Sequence, residues 1–280
     1  MIEKLNTKPG PIGIFDSGYG GLTILDGIRR LLPEYDYLYI GDNARAPYGS
    51  RSFDVVYEFT LQAVEKLFDM GCSLVILGCN TASAKALRTI QQNDLKRIDP
   101  SRRVLGVIRP TVEAIGTLTH NQHVGLLATE GTVLSESYNI ELKKLYPSIE
   151  ITAVACPMWV HLVENNQMNT PGAEYFVQLR LEQLLQKDPD IDTIILGCTH
   201  FPLLLPLIRK HVPPHIHLLA QGNYVAESLK NYLLRHPEIA SRCAKNGQCD
   251  YYTTENPLKF QQSASIFLKE SITAKHINLE

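Results

Sequence analysis

Short apolar runs alternate along this chain with longer stretches that carry apolar residues at helical spacing. Phe53–Met70 and Tyr175–Gln186 have apolar residues three and four positions apart, with charged residues on the opposite face. This alternation predicts an α/β fold in which parallel strands are covered on both sides by helices. The runs expected to form buried strands are Ile12–Phe15, Tyr37–Ile40, Leu74–Leu77, Val104–Ile108, Val124–Leu127, Ile151–Ala155, Thr193–Leu196 and His217–Leu219.

The second half of the chain repeats the plan of the first half. The segment Gly13–Gly18 matches Gly125–Glu130, 112 positions later, and Leu77–Thr81 matches Leu196–His200, 119 positions later. Both matches lie at strand ends and keep the same order, which favours an internal duplication. We therefore expect two similar three-layer domains with mainly parallel sheets, and a ligand in the cleft between them at the carboxyl ends of the strands. The predicted domains are residues 1–103 with 221–280, and residues 104–220.

The composition is that of an ordinary globular protein, and it excludes several functions. The 280 residues are 44% hydrophobic and 20% charged, with a net charge of −2. A nucleic-acid-binding protein usually carries a basic footprint, which this sequence lacks. No apolar run is long enough to span a bilayer, and Met1–Thr7 lacks the apolar core of a signal peptide. The sequence predicts a cytoplasmic protein with neither a nucleic-acid nor a membrane partner.

Six cysteines are spread along the chain without the spacing of a metal site. No pair forms a C-x-x-C motif, and no group of cysteines and histidines has zinc-ligand spacing. In a cytoplasmic protein we expect free thiols and not disulfides. Cys72, Cys243 and Cys249 are interpreted as small apolar residues of the core.

Cys79 and Cys198 differ from the other cysteines because each follows a predicted strand and a glycine. A helix expected from Ala82, with Asn80 or Thr81 as its N-cap, places the Cys79 thiol at the positive end of a helix dipole, which predicts a lowered pKa. Cys198 has the same placement, and Pro202 suits the first turn of the helix after it, whereas Pro206 weakens that helix. A single such cysteine is most simply a packed thiol. Two in matched loops favour a functional pair.

Two opposed thiols can remove a proton from one side of a carbon and deliver one to the other side. Racemisation needs this arrangement, because a single base tends to return the proton to the face it left. The Cα proton of an amino acid is weakly acidic, so the site must hold the substrate and exclude water. Two other functions stay open: domains that only clamp a small carboxylate, and a thiol hydrolase with a cysteine–histidine nucleophile.

Four further residues lie in or near loops at the predicted carboxyl edge. Asp16 follows the first strand and either caps the helix expected over Gly20–Leu32 or assists catalysis. His200 either shares a proton with the neighbouring thiol or caps a helix. Tyr48 lies in a turn whose amides can hold a small anion. Glu164 would by default be an exposed helix residue, but it lies within reach of the second-domain loops.

The glycine-rich segment Gly18–Gly21 is a weak candidate for nucleotide binding. It lacks the third glycine of a dinucleotide-binding loop, since position 23 is threonine. The sequence contains no P-loop, and no lysine in a context that favours a pyridoxal Schiff base. We therefore expect no cofactor.

Four ordered motifs make the chain similar to a known family, the bacterial glutamate racemases. They are Asp16–Gly21, Pro47–Gly49, Gly78–Ser83 and Gly197–Pro202, within a match that runs from about residue 11 to 225. The resemblance implies interconversion of L- and D-glutamate without pyridoxal phosphate, metal or nucleotide, and a supply of D-glutamate for peptidoglycan. It also implies a homodimer. A related racemase acting on aspartate or another acidic amino acid remains the alternative.

The same resemblance implies roles for individual residues. Cys79 would act on the α-proton of D-glutamate and Cys198 on that of L-glutamate. Asp16, His200 and Glu164 would assist the two thiols. Substrate contacts are implied for Asp16, Ser17, Tyr48, Gly49, Asn80, Thr81, Thr132, Thr199 and His200.

Overall fold

The chain forms two parallel sheets with helices packed on their faces. The computed structural model describes residues 8–279, so the segment considered as a signal peptide, residues 1–7, lies outside the described residues. The strands are β1 Ile12–Asp16, β2 Tyr37–Gly41, β3 Leu74–Leu77, β4 Arg103–Gly106, β5 His123–Ala128, β6 Glu150–Ala155, β7 Thr193–Gly197, β8 His217–Leu219, β9 Cys249–Thr253 and β10 Ala274–His276. The α-helices are α1 Leu22–Leu31, α2 Phe53–Asp69, α3 Asn80–Lys85, α4 Leu87–Thr89, α5 Leu95–Ile98, α6 Ile108–Leu118, α7 Glu130–Leu134, α8 Ser137–Leu145, α9 Pro157–Glu164, α10 Pro171–Lys187, α11 Leu205–His211, α12 Gly222–Arg235, α13 Pro237–Ala240 and α14 Pro257–Leu268.

The two sheets share one strand order. In the first sheet β2, β1, β3 and β4 lie side by side, and in the second β6, β5, β7 and β8 do. Every strand pair in both sheets is parallel. The strands β1 and β5 therefore occupy the same central position, and so do β3 and β7. The predicted α/β fold with two similar parallel sheets is confirmed.

Two strands near the end of the chain were not predicted. β9 pairs with β2 and β10 pairs with β9, which extends the first sheet to six strands. β10 is the edge strand and exposes two of its three residues, whereas β9 lies between β10 and β2 and mixes polar with apolar residues, so neither forms an apolar run. Cys249 lies at the start of β9 and is only partly buried, so it is not the core residue that was expected. The domain boundaries stay a prediction.

Three predicted segments differ from the structure at their ends. The fourth strand stops at Gly106, and Ile108 begins α6, which tolerates Pro110 because the N–H groups of a first helical turn need no intrahelical partner. The first helix is shorter than predicted and spans Leu22–Leu31. After Cys198 a 3₁₀ turn over Phe201–Leu204 precedes α11, whose first turn contains Pro206.

Burial follows from the layered architecture. All residues of β1, β3 and β7 are buried, as expected for strands that are covered by helices on both faces. Cys72 and Cys243 lie in the core as predicted, and all six cysteines are free thiols. Within residues 8–279, no helix combines the length and the apolar character needed to cross a membrane.

Candidate active site

The two cysteine loops occupy equivalent positions in the two sheets. Cys79 lies two residues after β3, and Cys198 directly follows β7. Each loop lies beside the central strand of its sheet, where the strand order reverses and α/β proteins usually bind ligands. Both cysteines are nearly inaccessible to solvent, with 5% and 6% of their surface exposed. The loops also come close enough for the charge of Cys198 to affect the pKa of Cys79.

Cys79 is surrounded by uncharged hydrogen-bonding groups. Its thiol donates to Ser17 Oγ at 3.5 Å, and its sulfur accepts the Ala82 N–H at 3.4 Å as the N-cap of α3. Burial raises the pKa of the Cys79 thiol to about 12, and the negative charge of Asp16 adds to this increase. The predicted lowering of the pKa was therefore wrong. The six-residue α3 and the two hydrogen bonds stabilise the thiolate less than the loss of water destabilises it.

Cys198 is instead linked to a chain of charged groups. Its sulfur lies 3.8 Å from Nδ1 of His200, and Nε2 of the same ring lies 3.0 Å from Oε1 of Glu164, the last residue of α9. Burial of His200 favours the neutral ring, but Cys198 and Glu164 outweigh it and raise the pKa of His200 to about 10. The structure thus brings together three of the five predicted catalytic residues. His200 is protonated at neutral pH and can pass a proton along this chain.

Residues from the first sheet pack directly against the Cys198 loop. Thr199 Oγ1 donates to Asp16 Oδ2 at 3.4 Å, and its carbonyl accepts a hydrogen bond from Thr23 at 3.0 Å. A Cβ at Gly20 would lie 2.2 Å from Thr199 Oγ1 and 2.5 Å from His200 Nδ1, so only glycine fits there. The loop after β1 therefore positions both Ser17 beside Cys79 and Thr199 beside Cys198.

Asp16 is fully buried at the end of β1. Burial raises its pKa, while His200 and the N–H groups of Gly18 and Gly21 lower it in part. Its Oδ1 accepts the Gly18 N–H at 2.9 Å. The N-cap residue of α1 is Gly21, and Asp16 accepts the N–H groups of Gly18 and Gly21 just before that helix, so its bonds at the start of the helix and its place beside the thiol loops occur together. Its carboxyl group contacts Thr199 and lies in the field of His200, between the two thiol loops.

Three threonine hydroxyls join the two halves of the site. Thr81 Oγ1 lies 3.0 Å from that of Thr129 and 3.4 Å from that of Thr132, and the last two are 3.0 Å apart. The backbone N–H of Gly131 donates to the Gly49 carbonyl at 2.7 Å nearby. Thr129 was not among the predicted site residues. The internal repeat contained the signal, because it aligns Thr129 with Ser17.

Two predicted contact residues have their side chains occupied by other protein groups. The Tyr48 hydroxyl donates to Asp42, and its ring is buried in the core. The Asn80 amide is bonded to Gln221 and Tyr138. A substrate contact through either side chain would require breaking these bonds, and the predicted substrate contacts of Tyr48 and Asn80 stay predictions.

Two other features lie outside the thiol loops. His123, Asp188 and Asp190 bring potential metal ligands together at the amino end of β5, the edge opposite the cysteines. A cavity of about 530 Å³ lies between α3, α6, α8 and α12, and neither Cys79 nor Cys198 lines it. Neither feature contributes a group to the thiol pair.

Comparison with known proteins gives one consistent result. Residues 21–222 match the family model described as Asp/Glu/Hydantoin racemase. A protein named glutamate racemase from Ruegeria sp. is 41% identical over 275 residues, which cover 94% of this chain and 98% of the relative. More than half of the chain therefore matches the family.

Solved structures extend the similarity to the whole fold. Glutamate racemase from Bacillus anthracis superposes with a TM-score of 0.87 at 33% identity, covering 96% of this chain and 98% of that one. Glutamate racemase from Francisella tularensis, solved with D-glutamate, gives a TM-score of 0.85 at 30% identity, with coverage of 97% and 98%. The chain belongs to the Asp/Glu/hydantoin racemase family.

Proposed function

We propose that this protein racemises glutamate with Cys79 and Cys198 as its two acid–base groups. The observation that carries the proposal is the placement of two buried thiols in equivalent loops of two similar sheets. A proton can then leave one face of Cα while another arrives at the opposite face. Neither cysteine loop alone can both remove a proton from one face and deliver one to the other.

The surroundings of the thiols support a division of labour. Cys79, whose pKa is raised by burial, is protonated before substrate binds and is ready to donate. Cys198 lies beside the His200–Glu164 pair, which can hold or release a proton without moving bulk water into the site. In this scheme Cys198 removes the α-proton of L-glutamate while Cys79 protonates the other face. Cys79 removes that of D-glutamate in the reverse direction.

The threonine hydroxyls, Ser17 and the backbone around Gly49 would hold the substrate. Hydroxyl and N–H donors suit carboxylates, because each can donate to an anionic oxygen. The choice of glutamate is supported by the relatives with that name and by the D-glutamate complex of the Francisella protein. Because the family also includes aspartate-specific members by name, the length of the acidic substrate is a point to test.

The family resemblance adds four further points to the proposal, on cofactors, the use of the product, location and oligomeric state. The thiols work without pyridoxal phosphate, metal or nucleotide. The D-glutamate product supplies peptidoglycan synthesis, the protein acts in the cytoplasm, and it functions as a homodimer.

The decisive experiment uses purified protein that has been dialysed against a chelator. It measures the optical rotation of L- and D-glutamate and the exchange of the α-proton in D₂O, with L- and D-aspartate as a parallel substrate pair. Loss of optical rotation from both glutamate enantiomers, faster than from aspartate, supports the proposal. Racemisation of aspartate alone would show that aspartate, and not glutamate, is the substrate. No exchange with either amino acid would refute the proposed racemase activity.

A further inference from the structure

Three side chains form a closed ring of hydrogen bonds directly behind Cys79. The Asn80 amide donates to Gln221 Oε1 at 2.6 Å, the Gln221 amide donates to the Tyr138 hydroxyl at 2.9 Å, and that hydroxyl donates to Asn80 Oδ1 at 2.7 Å. The Gln221 amide also donates to Thr111 Oγ1 at 2.7 Å. Each of these residues is at most 2% exposed. A buried polar ring whose members are all bonded holds one arrangement rigidly.

The bonds of Cys79 itself do not fix its position. Cys79 makes two hydrogen bonds, with Ser17 at 3.5 Å and with Ala82 at 3.4 Å, and a thiol is a weak donor and a weak acceptor. The adjacent residue Asn80, in contrast, is held by short bonds at both ends of its amide. The position of the sulfur is therefore set mainly through the backbone that Cys79 shares with Asn80.

Gln221 connects this segment to the other half of the protein. It precedes α12 and occupies the N-cap position of that helix, yet its side chain makes no capping bond there. The amide points instead to Asn80 after β3, Tyr138 of α8 and Thr111 of α6. Tyr138 and Thr111 lie on helices that pack in the core of the second sheet.

The geometry points to Gln221 as a positioning residue that aligns the Cys79 thiol with Cys198 by holding Asn80. It rests on the proposed two-thiol racemisation. Without the Gln221 amide, the buried Asn80 amide and Thr111 hydroxyl lose partners. Asn80 must then turn toward other groups, and the backbone carries Cys79 with it. A displacement of one ångström at a reacting group can lower a rate by about a hundredfold.

Gln221→Met tests this role, because methionine has a similar length and no amide. Thr60→Val is the matched control: Thr60 is fully buried and its hydroxyl donates to Val56 O at 2.6 Å, inside α2. For both variants and the native protein we would measure kcat/KM and the primary isotope effects with α-deuterated L- and D-glutamate. The rate of alkylation of Cys79 by iodoacetamide, read by mass spectrometry, is a measurement that does not depend on turnover.

We expect Gln221→Met to lower kcat/KM on the order of tenfold. The two directions must change equally, since the enantiomers have the same free energy. The isotope effects separate the two thiols: the step that uses Cys79 becomes slower, so the effect with D-glutamate rises and that with L-glutamate falls. Alkylation of Cys79 changes severalfold, while that of Cys198 does not.

Isotope effects and Cys79 alkylation equal to those of the native protein would overturn the role of Gln221. So would the same changes in Thr60→Val. If Gln221→Met does not fold, Tyr138→Phe removes one member of the ring and must shift both readouts in the same directions by less. If the native protein does not racemise glutamate, the proposed function fails, but the alkylation comparison still decides whether Gln221 positions Cys79.

Discussion

The Cys79 loop and the Cys198 loop occupy equivalent places in duplicated sheets, but their surroundings differ in charge. Around Cys79 the nearest partners are a hydroxyl and a backbone N–H, and burial raises the pKa of the thiol to about 12. Around Cys198 a histidine and a glutamate form an ion pair. The fold thus provides equal positions, and the side chains that differ between the repeats give the two thiols different partners.

In the proposed two-thiol racemisation this difference has a chemical use. A reaction that runs in both directions needs one protonated and one deprotonated group at the start of each turnover. Two identical environments would give both thiols the same affinity for a proton. Burial and the charge of Asp16 favour the thiol form of Cys79, and in this proposal the His200–Glu164 pair gives Cys198 a reservoir for the proton.

The largest effect should come from removing either thiol. Cys79→Ser and Cys198→Ser should each lower racemisation by about 10³-fold, because a serine hydroxyl is too weak an acid and base for this proton transfer. The comparison becomes sharper in D₂O, measured by NMR. Cys198→Ser should retain α-proton exchange only with D-glutamate, and Cys79→Ser only with L-glutamate. Equal exchange of both enantiomers by both variants would contradict the assignment of the faces.

The second-largest effect should come from adding a methyl group at Gly20, which should displace His200 from Cys198. In Gly20→Ala the new Cβ would overlap Thr199 Oγ1 and His200 Nδ1, so the ring must move away from Cys198. We expect kcat/KM to fall by about a hundredfold. Gly172→Ala is the matched control, since its Cβ would meet only Thr170 Oγ1, at 3.9 Å. The steric argument would be wrong if both variants kept full activity.

Glu164→Gln should weaken the interaction with His200 while keeping a side chain of the same shape. Glutamine keeps a hydrogen bond to His200 but not the negative charge that helps to raise the pKa of the ring to about 10. We expect kcat/KM to fall about tenfold and the alkaline limb of the pH–rate profile to move to lower pH. Glu182→Gln on exposed α10 is the control. An unshifted alkaline limb would remove Glu164 from the proton pathway.

The same histidine should make stability depend on pH. The folded pKa of His200 is raised to about 10 from 6.5, so its protonated form stabilises the fold fully below pH 6.5. This contribution should be lost as the pH rises toward 10, by at most about 1.4 kcal/mol per pH unit. Urea unfolding between pH 6.5 and 10 measures it. Glu164→Gln should flatten the slope, and an equal slope in both proteins would contradict the assignment.

Ser17→Ala, which removes the hydroxyl beside Cys79, should have the smallest effect on kcat/KM. The hydroxyl lies 3.5 Å from the Cys79 sulfur, and by donating to the thiolate it lowers the pKa of the thiol, against the larger effect of burial. Its loss should reduce kcat/KM severalfold, roughly the worth of one weak hydrogen bond. Steady-state kinetics of this variant and Glu164→Gln, measured together, test the comparison directly. A larger loss in Ser17→Ala would reverse the assigned importance of the two sides.

Sequence patterns were sufficient for the strands that carry the site. Eight predicted runs became strands, because buried parallel strands are continuously apolar and glycine marks their ends. The repeat also located the two thiols at equivalent strand ends. β9 and β10 escaped prediction because neither is a continuous apolar run: β9 contains the exposed Asp250, and the edge strand β10 exposes two of its three residues. The 3₁₀ turn after Cys198 escaped too, since two prolines four residues apart permit several local structures.

The sequence by itself determined which residues stand at the strand ends: Asp16, Cys79, Cys198 and His200 follow from local pattern and repeat. Tertiary structure alone decided the direction in which the pKa values of Asp16, Cys79 and His200 shift. The pKa of Cys79 is raised by burial, a property of the whole surrounding protein that the helix-end argument could not include. The tertiary structure also decided which side chains are hydrogen-bond partners: Gln221 meets Asn80 across 141 positions of sequence. No local pattern encodes such a contact, because it depends on how the two sheets and the returning chain pack together.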